Sequence, residues 1–334
     1  MKKKLINKKV LLLVPYFFGY EVKIKEKLNE MGAEVTMCDD DPDSILSTAI
    51  ETCWHYKKKG TYLIKKFENS IYEKVSKNKY DIVLVINGWA VTSRLVKMIK
   101  NNLINKDGKM YLYYWDSIIV LRDDANRRKY FDKIYTFDNV DYEANKDIME
   151  FLPLFYCDEY YVENEYSQSE VDLRTIGSYK YNRYFEIKEL IKSNPKVKID
   201  YILYAKYIVF LHKLLRKKYK DVDVKSFVYK PLSRKKIMEL YSKSNAVLDI
   251  PFKGQNGLTM RTFECLAMKK KIITSNKNIA KYDFYNPEFI YILDTESYRL
   301  PNKGWFEKKI EWPENIIKQY SIGKWIEQIL EIDD

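Results

Sequence analysis

Short apolar runs alternate with amphipathic segments along most of the chain. "KVLLLVPYF" is apolar at consecutive positions, the pattern of a strand buried on both faces. "YEVKIKEKLNEMG" spaces its apolar residues as a helix does and stops at Gly32. "AEVTMCDD" follows as a strand, the stretch from "DSILSTAIETCW" through "KNK" as helix, and "YDIVLVING" as another buried strand. A helix in "AVTSRLVKMIKNNL" precedes strands in "KMYLYYWDS" and "KIYTFD". Buried strands separated by helices of this length predict a parallel sheet covered on both faces.

The pattern restarts after residues 151–171, an acidic and aromatic stretch without clear period that reads as the passage between two halves. "DLRTIGS", "VKSFVY", "NAVLDIP" and "KKIITS" read as strands. "RYFEIKELIKSN", "SRKKIMELYSKS" and "TMRTFECLAMK" read as helices. "YILYAKYIVFLHKLLRKKYK" (201–220) reads as a core-packed helix with a basic end, a membrane-surface helix being the alternative. "NIIKQYSIGKWIEQILEI" reads as a terminal helical segment, and the expected divisions are 1–160, 161–315 and 316–334. The fold class is α/β, with two parallel sheets and a cleft between the halves. Ligands in such sheets gather outside the carboxyl ends of the strands.

Composition narrows the chemistry. With 334 residues, 46% hydrophobic and 32% charged, the chain is globular and long enough for two cores. Its net charge of +12 implies attraction to an anion (nucleotide, phospholipid, membrane surface or nucleic acid), unless the lysines only solvate the surface. Cys38, Cys53, Cys157 and Cys265 form no CxxC pair and suit a reducing compartment. With His55 and His212 alone, a zinc site or a His-centred triad is not expected. The basic and then apolar start imitates a secretion signal, but Pro15 and Gly19 end the run and no small-residue cleavage site follows. No uninterrupted apolar stretch reaches the span of about 18 residues that crosses a bilayer. The expected location is cytoplasmic, peripheral at the inner face of the cell membrane.

One stretch mixes core and ligand character. "GLTMRTFECLAMKKKIITS" (257–275) buries Leu258, Met260, Phe263, Leu266 and Ala267 on one side, yet carries Arg261 and Glu264. Gly257 permits a tight entry into the helix, whose first amides favour an anion such as a diphosphate. Glu264 lies about 7 Å further along the axis at 1.5 Å per residue, and an ionised carboxylate suits a pair of ribose hydroxyls. Arg261, one turn earlier, pairs with phosphate or holds the glutamate. The plain alternative is an ordinary i,i+3 surface pair.

"LDIPFKGQNGLTMRTFECLAMKKKIITSNKNIAKYDFYNP" resembles the donor-binding half of GT-B glycosyltransferases, specifically bacterial enzymes of lipopolysaccharide and capsule biosynthesis. "VLLLVPYFFGYEVKIKEKLNEMGAEVTMCDDDP" and "YLYYWDS" resemble the N-terminal half of the same group. The resemblance implies two facing Rossmann-like domains, an acceptor-side domain first and a nucleotide-sugar donor domain second. It implies a hexosyl-type transferase with no cofactor and no essential metal. "CDDDPD" (38–43) closes a strand and reads as a turn rather than a metal site. Glu264 matches the glutamate that holds the donor ribose. Asn256, Gly257, Leu258 and Thr259 match the loop and helix start at the diphosphate, with Arg261 beside them. "IPFKGQNG" lacks the second acid of the retaining enzymes, so retaining chemistry is not implied.

Two further loops converge in this scheme. "IGSYKYNRY" offers Gly177, Ser178, Lys180 and Arg183 to the diphosphate, and "VYKPLS" offers Tyr229 and Lys230 to the base. On the acceptor side, Tyr16, Phe17 and Gly19 follow the first strand; Asn87, Gly88 and Trp89, then Trp115 and Asp116, end later ones. Asp116 is the carboxylate at such a strand end beside aromatics, and so the candidate base for an acceptor hydroxyl; a cap of the next segment is the alternative. The expected partners are a nucleotide-sugar donor, a glycan or lipid-linked acceptor and an anionic membrane surface. A nucleotide-sugar epimerase is the competing enzyme. A nucleic-acid-binding protein is the weaker third reading, since no recognition-helix, RNP-type or zinc-finger signature occurs.

Overall fold

The computed structural model describes residues 4–40, 60–121, 124–163, 169–205, 222–223, 227–251 and 255–332. These residues form two compact units. The first comprises Met1–Cys157, Gln255–Gly257 and Ser321–Asp334; the second comprises Asp158–Gly254 and Leu258–Tyr320.

In the first unit the strands are β1 (Lys9–Leu13), β2 (Glu34–Cys38), β3 (Tyr80–Ile86), β4 (Ile104–Tyr114), β5 (Lys133–Thr136) and β6 (Glu150–Phe151). They pair in parallel in the order β2-β1-β3-β4-β5-β6. Its helices are α1 (Tyr20–Glu30), α2 (Gly60–Val75), α3 (Ser93–Asn102), α4 (Ile118–Leu121) and α5 (Asn139–Ala144). Alternate strand residues Leu11, Leu13, Val83, Val85, Leu112 and Tyr114 share a core with Leu95, Val96 and Ile99 of α3. Burial on both faces explains the unbroken apolar runs of β1 and β3.

The second unit repeats the plan. Its strands are β7 (Val171–Ser178), β8 (Ile199–Tyr204), β9 (Phe227–Val228), β10 (Ser244–Asp249), β11 (Lys271–Thr274) and β12 (Ile290–Ile292), in the order β12-β11-β10-β7-β8-β9. The helices α6 (Tyr181–Ser193), α7 (Arg234–Ser242), α8 (Met260–Ala267), α9 (Lys303–Glu307) and α10 (Glu314–Gln319) complete it. Ile187 and Leu190 of α6 pack on Leu173, Leu203 and Leu248 of the sheet.

The start of 201–220 departs from expectation. Residues 199–204 are strand β8, not helix. "IDYILY" is rich in β-branched and aromatic residues, which sit well on a pleated surface, and its pairing with β7 outweighs the helical spacing downstream. Most of the remainder lies outside the described residues, as does much of the helix expected after Asp43.

Lys269, Lys270 and Lys271 explain how α8 ends. Lys269 takes a left-handed φ of 53° just past the helix, and its ammonium meets the Glu163 carbonyl and the Glu314 carboxylate. Lys270 Nζ donates to the Ser242 and Ser244 carbonyls at 3.1 and 3.0 Å. Lys271 Nζ donates to the carbonyls of Trp305, Phe306 and Lys308. All three side chains are buried. A run that looks like surface charge is therefore a set of internal clamps, which satisfy carbonyls at the ends of neighbouring segments.

The last helix, α11 (Ile322–Ile329), belongs to the first unit. Its Trp325 is fully buried, 4.9 Å from the Tyr113 ring and 4.4 Å from that of Phe155, centroid to centroid. Trp325→Ala is expected to cost about 3–5 kcal/mol, the range for deleting a core aromatic. Chemical denaturation should show the loss in the first unit's transition.

Candidate active site

In the first sheet the strand order reverses beside β1, which has β2 on one flank and β3 on the other. Loops leaving β1 and β3 run to opposite sides there, and in such sheets ligands bind at that reversal, outside the carboxyl ends. Asn87 and Gly88 leave β3 with left-handed φ of 56° and 67°. A Cβ on Gly88 would lie 2.5 Å from Arg127 Nη1 and 2.7 Å from Val85 Cγ1, so no larger residue fits. Arg127, fully buried on the 3₁₀ turn Ala125–Tyr130, donates to the carbonyls of Asn87 and Gly88 and to that of Val91 at 2.8 Å.

That grip aims the Asn87 side chain. Its Nδ2 donates to Asp116 Oδ2 at 2.7 Å, while its Oδ1 accepts from the backbone amides of Trp115 and Asp116 at 3.0 and 3.2 Å. Asp116 is exposed as a residue, so solvent reaches it. Desolvation by the surrounding protein still raises its pKa above the ordinary carboxylate value, and the Asn87 hydrogen bond opposes the rise. The result is a carboxylate oriented on one side, open on the other and more basic than usual. Asp40 braces the same loop, accepting from Trp89 N at 3.0 Å through its carboxylate. Asp41 and Asp43 lie outside the described residues, and among the described residues no group of three His, Cys, Asp or Glu is placed to hold a metal.

The β1 loop is also fixed. Phe17 N donates to Glu21 Oε2 at 3.0 Å, and Gly19 adopts φ 78° before α1. Tyr16 and Phe17 are exposed, and the Phe17 ring stands 6.4 Å from that of Trp115, centroid to centroid. The structure thus brings Phe17, Trp115, Asn87, Gly88 and Asp116 together.

In the second unit the corresponding reversal lies between β7 and β10. Asp249, buried at the end of β10, organises it. Its Oδ2 accepts from Thr259 Oγ1 at 2.6 Å and Thr262 Oγ1 at 2.9 Å, and its Oδ1 pairs with Arg261 Nη1 at 3.0 Å. Arg261 also donates through Nε to Tyr241 OH at 3.0 Å and through Nη2 to the Ile176 carbonyl. Burial opposes the Arg261 charge, but Tyr241 and Asp249 hold its pKa above the usual value. Arg183 Nη1 donates to the Ser178 carbonyl at 3.0 Å and its Nη2 to that of Ile250 at 2.7 Å, tying the two loops together. Desolvation and the neighbouring Arg261 charge bring Arg183 down to about 10. A Cβ on Gly177 would sit 3.1 Å from Arg261 and 3.3 Å from Arg183, so Gly177 leaves room for both guanidinium groups.

Gly177, Ser178, Arg183, Thr259 and Arg261 therefore share one region. Glu264 follows Arg261 by one turn of α8 and is buried. Leu258 is buried as an apolar side chain, and Tyr229 packs against the core cluster while Lys230 is exposed. Asn256 and Gly257 count with the first unit, where a Cβ on Gly257 would come within 2.4 Å of the Phe137 ring. That contact, not a left-handed turn, is what makes Gly257 a glycine. Sequence reasoning missed Asp249, Tyr241, Asp40 and Arg127. The one available signal was an acid closing the otherwise apolar "NAVLDIP".

Neither a family profile nor a curated protein sequence matches the chain. Solved structures do. The apo lipopolysaccharide outer core galactosyltransferase WaaB superposes with a TM-score of 0.55 at 9% identity, over 97% of this chain and 98% of its own. AviGT4, a glycosyltransferase of avilamycin A biosynthesis, gives 0.55 at 11% identity over 97% and 96%. The UDP-GlcNAc 2-epimerase of Methanocaldococcus jannaschii, in complex with UDP-GlcNAc and UDP, gives 0.56 at 10% identity over 97% and 99%. The chain has the GT-B fold. Since GT-B neighbours here include transferases and an epimerase, the reaction must be argued from this chain's own residues.

Asp249→Asn leaves the buried Arg261 without its counter-charge. Breaking a buried pair from one side costs about 3–5 kcal/mol, so calorimetry should show a lower melting transition for the second unit.

Proposed function

We propose that the chain transfers a sugar from a nucleotide-sugar donor to a hydroxyl of a glycan or lipid-linked acceptor at the cytoplasmic side of an anionic membrane. The observation that carries this reading is Asp116, a base-like carboxylate aimed by Asn87 beside exposed aromatics. An epimerase also needs a base, for a carbon-bound proton, but it has no acceptor to hold, so the exposed aromatics beside Asp116 favour transfer. The sugar-transfer activity in the names of WaaB and AviGT4 agrees with it. The net charge of +12 favours an anionic surface, and no helix among the described residues is long and apolar enough to cross a membrane.

Asp116 takes the proton of the acceptor hydroxyl as that oxygen forms its bond to the anomeric carbon and the nucleoside diphosphate leaves. Glu264 holds the donor ribose. The helix start at Leu258 and Thr259, with Gly177 and Ser178 nearby, lies at the diphosphate. Arg183 and Arg261 place positive charge there while bracing the loops. Tyr229 and Lys230 meet the base. The hexosyl transfer runs without an essential metal, so chelation by EDTA should leave the rate unchanged.

A thermal-shift screen across UDP, GDP, TDP and CMP should raise the melting temperature with at least one of them, because a ligand that binds only the folded chain stabilises it. Glu264→Gln should weaken that nucleotide in calorimetry. Conversion of a nucleotide-sugar without any acceptor would establish the epimerase instead.

Asp116→Asn should keep nucleotide affinity while turnover falls by about 10²–10⁴, the usual contribution of a general base. Near-normal turnover would remove Asp116 from the mechanism. The base works ionised and its pKa is raised, so the acid limb of the rate profile should lie above the ordinary value of 3.8. For stability the sign is opposite. A carboxylate whose folded pKa exceeds its unfolded one loses stability as pH rises through the unfolded value, so Asp116→Asn should not lower the melting temperature at neutral pH.

A further inference from the structure

Ten large hydrophobic residues are exposed among the described residues, and all ten lie in the first unit. Seven of them follow the carboxyl ends of its strands: Tyr16, Phe17, Phe18 and Val22 after β1, Ile119 and Val120 after β4, and Val140 after β5. The second unit, built on the same plan, exposes none among its described residues. Scattered single residues of this kind need no explanation, but concentration at one end of one sheet does.

The loops that carry them are held rigid rather than collapsed. Phe17 N is tied to Glu21 and Tyr20 N to the Phe17 carbonyl. Phe18 sits at φ 51°, a conformation that is costly for a bulky residue, and the residue remains 55% exposed. Ile118 N is tied to Asp141 Oδ2 at 2.7 Å, fixing α4, on which Ile119 is 85% and Val120 68% exposed. The Phe17 and Phe18 rings meet edge to face at 4.6 Å, yet the strained, fixed loop still leaves both about half exposed. They serve a surface.

We propose that these loops, led by Phe17, Phe18, Ile119 and Val120, dip into the interface of an anionic lipid bilayer and dock the first unit there with Asp116 turned toward the membrane. The inference rests on the acceptor reading above and specifies which surface meets the lipid. Three features choose a bilayer over a protein partner or a lone lipid chain. The residues project from loops on β1, β4 and β5, three strand spacings or about 14 Å apart, wider than one hydrocarbon chain. Aromatic and branched aliphatic side chains together suit the headgroup boundary. The chain's charge of +12 supplies the electrostatic attraction that stable peripheral binding requires beside apolar insertion. The patch is also continuous with the base, since Phe17 meets Trp115, and Trp115, Asp116, Ile119 and Val120 leave the same strand.

Flotation on phosphatidylglycerol–phosphatidylethanolamine vesicles in about 0.15 M salt, near physiological ionic strength, tests it. The full chain is compared with Phe18→Asn, with Ile119→Ser/Val120→Ser, and with Ile6→Ser, an exposed apolar residue that precedes β1 at the amino end of the sheet, opposite the patch. Asn tolerates the left-handed conformation at position 18, and unchanged melting curves confirm that each variant is folded. The wild-type chain and Ile6→Ser should float, and both patch variants should lose vesicle binding by about tenfold or more, as removal of inserted apolar area demands. Equal flotation of all four overturns the proposal while leaving a charge-only membrane contact. Failure of the wild type to float overturns it too. A concentration-dependent dimer abolished by Ile119→Ser/Val120→Ser would instead make the patch a protein interface. Nucleotide binding, read separately by thermal shift, tells any of these failures from a failure of the transferase reading.

Discussion

A buried guanidinium shapes the loop that carries the first unit's candidate site. Arg127 has three backbone carbonyls around it. Those carbonyls belong to a loop that leaves β3 in left-handed conformation, which turns its carbonyls inward to the arginine. Only glycine at position 88 permits the approach. Asn87 is then forced to present its carboxamide to the next strand, where it fixes Trp115 and Asp116 together. The candidate base therefore depends on a charge that touches no reacting group. Buried ionic groups are weak sources of stability but can select one geometry among several, and Arg127 does that here.

The second unit solves the same problem with the opposite sign. Asp249 gathers two threonine hydroxyls and Arg261, so that the end of β10 and the first turn of α8 move as one piece. Arg183 extends the brace to β7 by joining the carbonyls of Ser178 and Ile250. Two guanidinium groups are thus held close together, and the pKa of Arg183 is lowered first by its burial and then by repulsion from Arg261. An anion arriving beside them would relieve that repulsion. This is electrostatic preparation in the sense that the cost is met in folding rather than on binding.

Strands were legible where both faces are buried, because β1 and β3 carry unbroken apolar runs. β8 was misread because an apolar run with aromatic and branched residues fits either structure until its neighbour is known. β6 and β12, of two and three residues, are too short to carry a period. At the site, the loops were legible and their partners were not. Arg261 was weighed against Glu264, three residues away on the same helix, but its ion pair reaches back to Asp249 on the preceding strand. Arg127 meets Asn87 across 40 positions, and no local pattern announces such a contact. The lysines at 269–271 were invisible for the same reason, since only the folded chain shows which carbonyls they meet.

The two units differ less in fold than in what they leave at the carboxyl ends of their strands. In the second, strand ends close over charged groups paired with one another, which suits a small, highly charged ligand read by fixed dipoles. In the first, they open into aromatic and aliphatic side chains around one carboxylate, which suits a larger partner whose polar and apolar parts must both be met. A common backbone plan leaves that choice to a few loop positions, where binding residues concentrate. The buried charges behind each set of loops allow the difference. With Arg127 and Asp249 holding the backbone from inside, the outward side chains are released from any packing duty.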